Sequence, residues 1–241
     1  MSDELFVLVI AGLSVFAGAV VQGAVGFGLA LVAAPVVMIL DPGLMPGSLQ
    51  LVSAVLPLFT LVKEWRHVDW RGISWALLGR LPGMLAGLWI LKTVPRDALG
   101  VGVGVMVLIA VALTAWSVSL PRTPRTLAAA GLVSGFTGQA TSIGGPPMGL
   151  VYQHARGPQI RATLAMYFAV GALASMTLNA AGGEMPARAA LAGLALVPFL
   201  VAGFLASGPL RRYLDGGRIR AGVLCVAALS ALALITQSAW G

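Results

Sequence analysis

Long apolar segments follow one another along the whole chain, and the short loops between them carry most of its charge. A helix that crosses a bilayer needs about 20 apolar residues, because it rises about 1.5 Å per residue through a hydrocarbon core of about 30 Å. Six segments meet this requirement without interruption: 47–63, 73–91, 98–119, 161–181, 188–209 and 219–236. The pattern predicts an all-α, polytopic membrane protein.

Two further apolar segments, 5–40 and 126–154, are interrupted by glycine, glutamine and proline. The first interruption reads QGAVGFG over residues 22–28, and the second reads QATSIGGPP over residues 139–147. Lipid offers no hydrogen-bond partner to bare backbone, so a broken helix at membrane depth persists only where it lines a protein cavity. One such break in each half of the chain indicates the substrate site of a transporter.

Composition supports a membrane location and removes other function classes. Hydrophobic residues make up 59% of the chain and charged residues 10%, against roughly 25% charged residues in soluble domains. The net charge of +7 comes from loop lysines and arginines, which set membrane orientation, so nucleic acid is not an expected partner. Cys225 is the single cysteine, which excludes an intrachain disulfide. Acidic residues precede the first apolar segment, unlike the basic start of a signal peptide, so this segment is expected to belong to the fold.

Loop charges distinguish two membrane topologies. If each interrupted segment crosses the membrane once, the loop lysines and arginines divide six against eight between the two faces. If both segments are re-entrant hairpins, eleven fall on one face, in the loops 63–72, 121–125, 155–161 and 211–220. The other face then keeps three, which are Lys92, Arg96 and Arg188. The positive-inside rule favours the hairpins, with both termini outside.

A weak internal repeat agrees with this topology. The pattern G-x-x-x-Q at residues 18–22 recurs at 135–139, and PGMLAG at 82–87 recurs as PFLVAG at 198–203, with offsets of 117 and 116. Each half would hold one hairpin and three crossings, eight hydrophobic segments in all, and an odd number of crossings gives the halves opposite orientations. We therefore expect two inverted repeats with substrate between them near the midplane, comprising residues 1–120 and 121–241.

The polar groups of both breaks suit a small anion. Gln22 brings hydrogen-bond donors without a buried charge, and glycine backbone allows a ligand to approach closely. Proline is tolerated in the first turn of a helix, and a helix N-terminus carries about half a positive charge. The candidate substrate-binding residues are Gln22, Gly23, Gly26 and Gly28 in the first break, and Gln139, Thr141, Ser142, Gly144, Gly145 and Pro146 in the second. For the flanking glycines, Gly12, Gly18, Gly131 and Gly135, close helix packing is the favoured interpretation.

Arg80 is the one strong charge well inside a predicted span. It either faces a cavity, where it can bind an oxyanion through two parallel hydrogen bonds, or extends to the membrane interface. Asn179 is a further candidate for the cavity wall, with helix bridging as the alternative. The sequence lacks zinc-protease, serine-hydrolase and P-loop motifs, so we expect neither an enzyme nor a metal or cofactor site.

Both breaks resemble known signatures. QGAVGFGLALVAAP (22–35) and GLVSGFTGQATSIGGPP (131–147) resemble the two signatures of the TauE/SafE family of membrane transporters, and the likeness extends over the whole chain. The first motif has Gly-Phe-Gly-Leu where many members have a run of three glycines. The residues marked by the signatures are Gln22, Gly26, Phe27 and Gly28, then Gln139, Thr141, Ser142, Gly144, Gly145 and Pro146. The resemblance implies a substrate among sulfite, sulfonates and related small sulfur anions.

The breaks predict a secondary transporter of a small anion, integral to the bacterial cytoplasmic (inner) membrane and working by alternating access. The resemblance implies that this anion is sulfite or an organosulfonate. Three alternatives stay open: an anion channel, a transporter of another small organic anion such as a carboxylate, and a membrane assembly factor that transports nothing. The expected partners are the anion and membrane lipid. A coupling ion, proton or sodium, and a second copy of the chain in a homodimer are further candidate partners.

Overall fold

A computed structural model describes residues 2–115, 120–214 and 218–240, and these ranges contain helices and short connections without a strand. The all-α prediction is therefore confirmed. The described ranges hold ten α-helices: α1 (Ser2–Val25), α2 (Leu29–Leu40), α3 (Gly47–Glu64), α4 (Trp70–Thr93), α5 (Arg96–Ala115), α6 (Pro124–Thr141), α7 (Gly145–Tyr152), α8 (Gly157–Gly182), α9 (Ala187–Leu214) and α10 (Arg218–Trp240).

Each uninterrupted apolar segment forms one helix, namely α3, α4, α5, α8, α9 or α10. Within the described residues, four helices contain a stretch long and apolar enough to cross a membrane: α1, α4, α8 and α9. The chain is therefore a multi-pass helical membrane protein. The last four residues of the predicted span 98–119, and residues 215–217 of the predicted basic loop, lie outside the described residues.

Local sequence sets where the central helices begin. The carboxylate of Asp69 accepts a hydrogen bond of 2.9 Å from the Gly72 N–H and thereby caps α4. Thr123 and Thr126 form a reciprocal capping box at the start of α6, with Pro124 in the first turn. Both devices satisfy N–H groups that the first turn of a helix leaves without intrahelical partners.

Both interrupted segments fold back on themselves. The first breaks at residues 26–28 between α1 and α2, and the second at residues 142–144 between α6 and α7. A methyl group at Gly18 would lie 2.7 Å from the carbonyl oxygen of Leu29, although an unbroken helix would separate these residues by roughly 16 Å. Ser134 likewise donates a hydrogen bond to the carbonyl of Gly144, ten residues later. The arms are unequal, because α1 has 24 residues and α2 has 12.

Two close helix pairs run parallel and join the first half of the chain to the second. Along α1 and α9, Gly12 faces Phe199 and Gly23 faces Ser207. Along α4 and α6, Gly79 faces Ala128 and Gly87 faces Phe136. Residue numbers rise together in both pairs, so the members of each pair point the same way.

Two other pairs run antiparallel. In α3 and α8, Gln50 bonds to Asn179 and Glu64 bonds to Arg161, so numbers rise along one helix as they fall along the other. In α5 and α10, Gly100 faces Ser238 and Gly104 faces Ile235. The helices of these two pairs therefore point in opposite directions.

Charged contacts define the two ends of the bundle. Arg161 and Glu64 pair at 2.7 Å at one end, which we name the Arg161 end, and the Tyr152 hydroxyl donates to Asp69 there. Arg188 and Asp41 pair at 2.8 Å at the other, the Arg188 end. The α1–α2 hairpin returns to the Arg188 end at Asp41, and the α6–α7 hairpin returns to the Arg161 end at Tyr152. The hairpins therefore enter the bundle from opposite ends.

Candidate functional site between the two breaks

A small cavity lies where the two hairpins meet. Its volume is about 50 Å³, and a buried water needs roughly 10–15 Å³, so there is room for a few waters or one compact anion. The described polar residues in its wall come from both hairpins and from α3, α4 and α8: Gln22, Gln50, Ser53, Arg80, Ser142 and Ser175. None of the lining residues in the described part of the chain is acidic.

Most of the residues predicted for the site lie in this wall. Eight of the predicted residues line the cavity: Gln22, Phe27, Gly28, Arg80, Ser142, Gly144, Gly145 and Pro146. Five predicted residues do not: Gly23, Gly26, Gln139, Thr141 and Asn179. Residues of both breaks therefore line one cavity, whereas five of the predicted residues lie outside its wall.

Three of the five outlying residues shape the hairpins. A methyl group at Gly23 would lie 2.3 Å from the Ser207 hydroxyl, so Gly23 allows close packing on α9. Gly26 has a φ of +102°, favourable only for glycine, and packs beside Arg161 at the hairpin tip. Thr141 donates to the carbonyl of Thr137 at 2.7 Å and so ties its side chain to the last turn of α6.

The other two outlying residues, Gln139 and Asn179, are fully buried next to the cavity. Their side-chain amides bond to each other, and Asn179 Nδ2 donates to Gln50 Oε1 at 3.0 Å. Gln50 is itself a lining residue. The two residues therefore reach the cavity only through a third side chain.

The two breaks touch directly at Phe27. A methyl group at Gly145 would lie 3.1 Å from the Phe27 side chain, and one at Gly149 would lie 2.7 Å from its ring. The first two turns of α7 therefore lack side chains where the ring of the other hairpin rests. Phe27 is thus a direct contact between the two hairpins.

Backbone geometry at the breaks is held by side chains. Gln22 Oε1 accepts the Leu29 N–H at 3.1 Å and so caps α2. Ser142 has a left-handed backbone with φ 63°, and its hydroxyl donates to the carbonyl of Pro46 at 3.1 Å. Both hairpin tips are thus fixed by hydrogen bonds, one of them to the chain that leads into α3.

Arg80 is buried in the wall of the cavity, with 4% of its surface exposed, and does not extend to the membrane interface. Its Nη2 donates to the Ser175 hydroxyl at 3.3 Å, and its guanidinium carbon lies 5.0 Å from the centre of the Tyr167 ring. Nε and Nη1 have no hydrogen-bond partner in the described chain. A buried cation without a counter-charge costs several kcal/mol, and an anion in the cavity would offset that cost.

The two cavity glutamines present donors. A backbone N–H can only donate, so the Gln22 amide must direct its oxygen to Leu29, which leaves both hydrogens of Nε2 available. Gln50 Nε2 donates one of its two hydrogens to the backbone carbonyl of Gln139 at 3.4 Å, because a carbonyl can only accept. Its second hydrogen can be donated to a ligand. The polar wall of this cavity is therefore suited to an oxyanion rather than a cation.

Gln50, Ser53 and Ser175 were not among the predicted site residues. Gln50 lies close to the start of the predicted span 47–63. A polar residue at such a position is expected to lie at the membrane interface. The signal that could have found it is the one that singled out Gln22, an amide within an apolar segment. Ser53 and Ser175 have no such signal, because serine is common in membrane helices.

Comparisons with known proteins agree on one family. The model of the family described as "Sulfite exporter TauE/SafE" matches residues 10–234. The chain is also 27% identical to a protein of Cupriavidus necator described as "Probable sulfite/organosulfonate exporter TauE", in an alignment that covers 77% of each chain. No solved structure matches this chain.

Proposed function

Since the chain belongs to the TauE/SafE sulfite exporter family, we propose that it is a secondary transporter of sulfite or a small organosulfonate, with the cavity between the two breaks as its substrate site. The observation that carries this proposal is Arg80, a buried guanidinium in the wall of a cavity that has no acidic residue among the described ones. Two nitrogens of this guanidinium have no hydrogen-bond partner in the described chain. A sulfur oxyanion supplies the missing counter-charge, and its oxygens accept hydrogen bonds from planar donors.

The helix directions support two inverted repeats in the proposed architecture. Matching the five helices of each half in order pairs α3 with α8 and α5 with α10, and both pairs run antiparallel. In the same matching, α1 corresponds to α6 and α9 corresponds to α4. The contact between α1 and α9 is therefore equivalent to the contact between α6 and α4. Repeats related by an axis in the membrane plane have opposed equivalent helices, whereas repeats related by an axis along the normal have parallel ones. We therefore assign residues 1–120 and 121–241 as inverted repeats.

Hairpins that enter the bundle from opposite ends support alternating access as the mechanism. Opening at one hairpin tip would connect the cavity to one face, and opening at the other would connect it to the opposite face. Phe27 against Gly145 and Gly149 gives the two tips a shared contact, through which opening on one side can oppose opening on the other.

The energy source in this proposal is an ion or substrate gradient. With the inside negative, moving an anion inward costs about 2.3 kcal/mol per charge per 100 mV. Export across the bacterial inner membrane can therefore proceed down the potential, while uptake needs a coupled proton or sodium ion. Four of the described helices are long and apolar enough to cross a membrane, which supports membrane lipid as the proposed surroundings of the protein.

The proposal is tested by transport in proteoliposomes. We expect the purified protein to show saturable counterflow of radiolabelled sulfite or sulfoacetate, and the same anion to raise its unfolding temperature in detergent, because a ligand stabilises the state it binds. Sulfate, taurine and simple carboxylates complete the panel. Non-saturating flux without counterflow would indicate a channel, stabilisation by carboxylates alone would change the substrate class, and transport of no anion would reject the proposal.

The topology is tested by cysteine labelling in intact cells. In a Cys225→Ser background, we expect Pro42→Cys to react with a membrane-impermeant maleimide from outside and His67→Cys to react only after permeabilisation. The reason is that Asp41 lies at the Arg188 end, whereas Glu64 lies at the Arg161 end, where the basic loops are predicted. Protection of position 42 in intact cells would refute the proposed orientation, in which the Arg188 end faces outward.

A further inference from the structure

Three buried amides form a relay beside the cavity. Gln50 on α3, Gln139 on α6 and Asn179 on α8 are each no more than 2% exposed. Gln50 Nε2 donates to the Gln139 carbonyl, Asn179 Nδ2 donates to Gln50 Oε1, and Gln139 Nε2 donates to Asn179 Oδ1. The relay therefore joins a helix of the first half of the chain to two helices of the second.

The orientation of every amide in the relay follows from one backbone group. The Gln139 carbonyl can only accept, so the Gln50 amide must turn its nitrogen toward it. Gln50 Oε1 then needs a donor, which fixes Asn179 with Nδ2 toward Gln50 and Oδ1 toward Gln139. Gln139 meets that oxygen with its own nitrogen, and its Oε1 is left without a partner in the described chain.

We propose that Gln139 and Asn179 are positioning residues that hold the Gln50 amide with its free N–H toward the substrate. This inference rests on the proposed function, because it assigns a task within the same cavity. Gln50 lines the cavity, whereas Gln139 and Asn179 do not. Without Asn179, Gln50 Oε1 loses its partner, and the amide is held only by one long hydrogen bond, 3.4 Å from Nε2 to the Gln139 carbonyl. A single bond allows the amide to swing, so its free N–H is no longer directed at the anion.

The unpartnered Gln139 oxygen fits this role. A buried acceptor without a hydrogen bond costs about 1–3 kcal/mol, so packing alone would favour an apolar residue at this position. Gln139 keeps the amide because its nitrogen holds Asn179, and its backbone carbonyl holds Gln50. Two contacts from one residue thus fix both ends of the relay.

The test is a double-mutant cycle on substrate affinity. We expect Gln50→Leu and Asn179→Leu each to weaken binding of the anion that stabilises the parent, sulfite or sulfoacetate, by about tenfold, the loss of one hydrogen bond to a charged group. The double variant should be no weaker than either single variant, because both remove the same donor. Thr163→Val, on the same helix as Asn179 and also fully buried, should lower stability without changing affinity.

Other outcomes overturn the inference. If the two losses multiply to about a hundredfold, Asn179 contacts the anion itself. If Asn179→Leu lowers the unfolding temperature but binds like the parent, its role is structural only. Gln139→Met, at the far end of the relay, provides a second variant should Asn179→Leu not fold, and it should give the same tenfold loss. A parent protein that binds and transports no anion rejects the proposed function instead, which separates the two failures.

Discussion

Replacing Arg80 with methionine is expected to weaken anion binding at least about 30-fold while leaving the empty protein as stable as the parent or more stable. The guanidinium is buried, and its Nε and Nη1 lack partners among the described residues. Removing a buried charge that has no counter-charge relieves a desolvation cost. Loss of the one cation among the described residues of the cavity wall should weaken anion binding by about 2–5 kcal/mol, which is at least about 30-fold.

The measurement is thermal unfolding in detergent, with and without the anion, combined with counterflow in proteoliposomes. Arg125→Met is the matched control, because Arg125 is exposed near the start of α6 and should change neither quantity. Arg80→Lys should fall between the parent and Arg80→Met, since an ammonium keeps the charge but not the planar pair of donors. Binding retained by Arg80→Met, together with a marked loss of stability, would show that Arg80 is structural.

The sequence allowed the helices and both breaks to be predicted because membrane physics constrains them strongly. Apolar length marks each span, and the glycines and glutamines at residues 22–28 and 139–147 mark where the helix cannot continue. The depth of Arg80 was likewise visible from its position in the span 73–91. These features depend on local composition, which a single sequence contains in full.

The facing of individual side chains was harder to predict, because it depends on helix pairing. Gln22 lines the cavity, but Gly23, about 100° further around α1, packs on α9. Gln139 matches Gln22 in the repeat, yet it faces α3 and α8 and bonds to other amides. Gln50 joins the site only because α3 packs antiparallel to α8. None of these contacts can be derived from the spacing of residues within a single segment.

Glycines at the contact between α4 and α6 allow the backbones of these two helices to pack closely against each other. A methyl group at Gly83 would lie 2.1 Å from the carbonyl oxygen of Leu132 and 2.9 Å from the Phe136 nitrogen. The atoms it would meet are backbone, which cannot rotate away as a side chain could. Gly131 and Gly135 make similarly close approaches from α6, which confirms the packing role predicted for them. Such small residues allow membrane helices to come close together.

Gly83→Ala is therefore expected to force α4 and α6 apart and to destabilise the protein by about 1–3 kcal/mol or more, despite the better helix propensity of alanine. Anion affinity should fall as well, because α4 carries Arg80 and α6 leads into the second break. Gly102→Ala on α5 is the control, since nothing lies within 4 Å of the added methyl group. Unfolding temperatures in detergent compare the two variants. Equal stability would mean that α4 and α6 can separate without cost, and Arg80 would then owe its position to α8, whose Ser175 accepts its hydrogen bond.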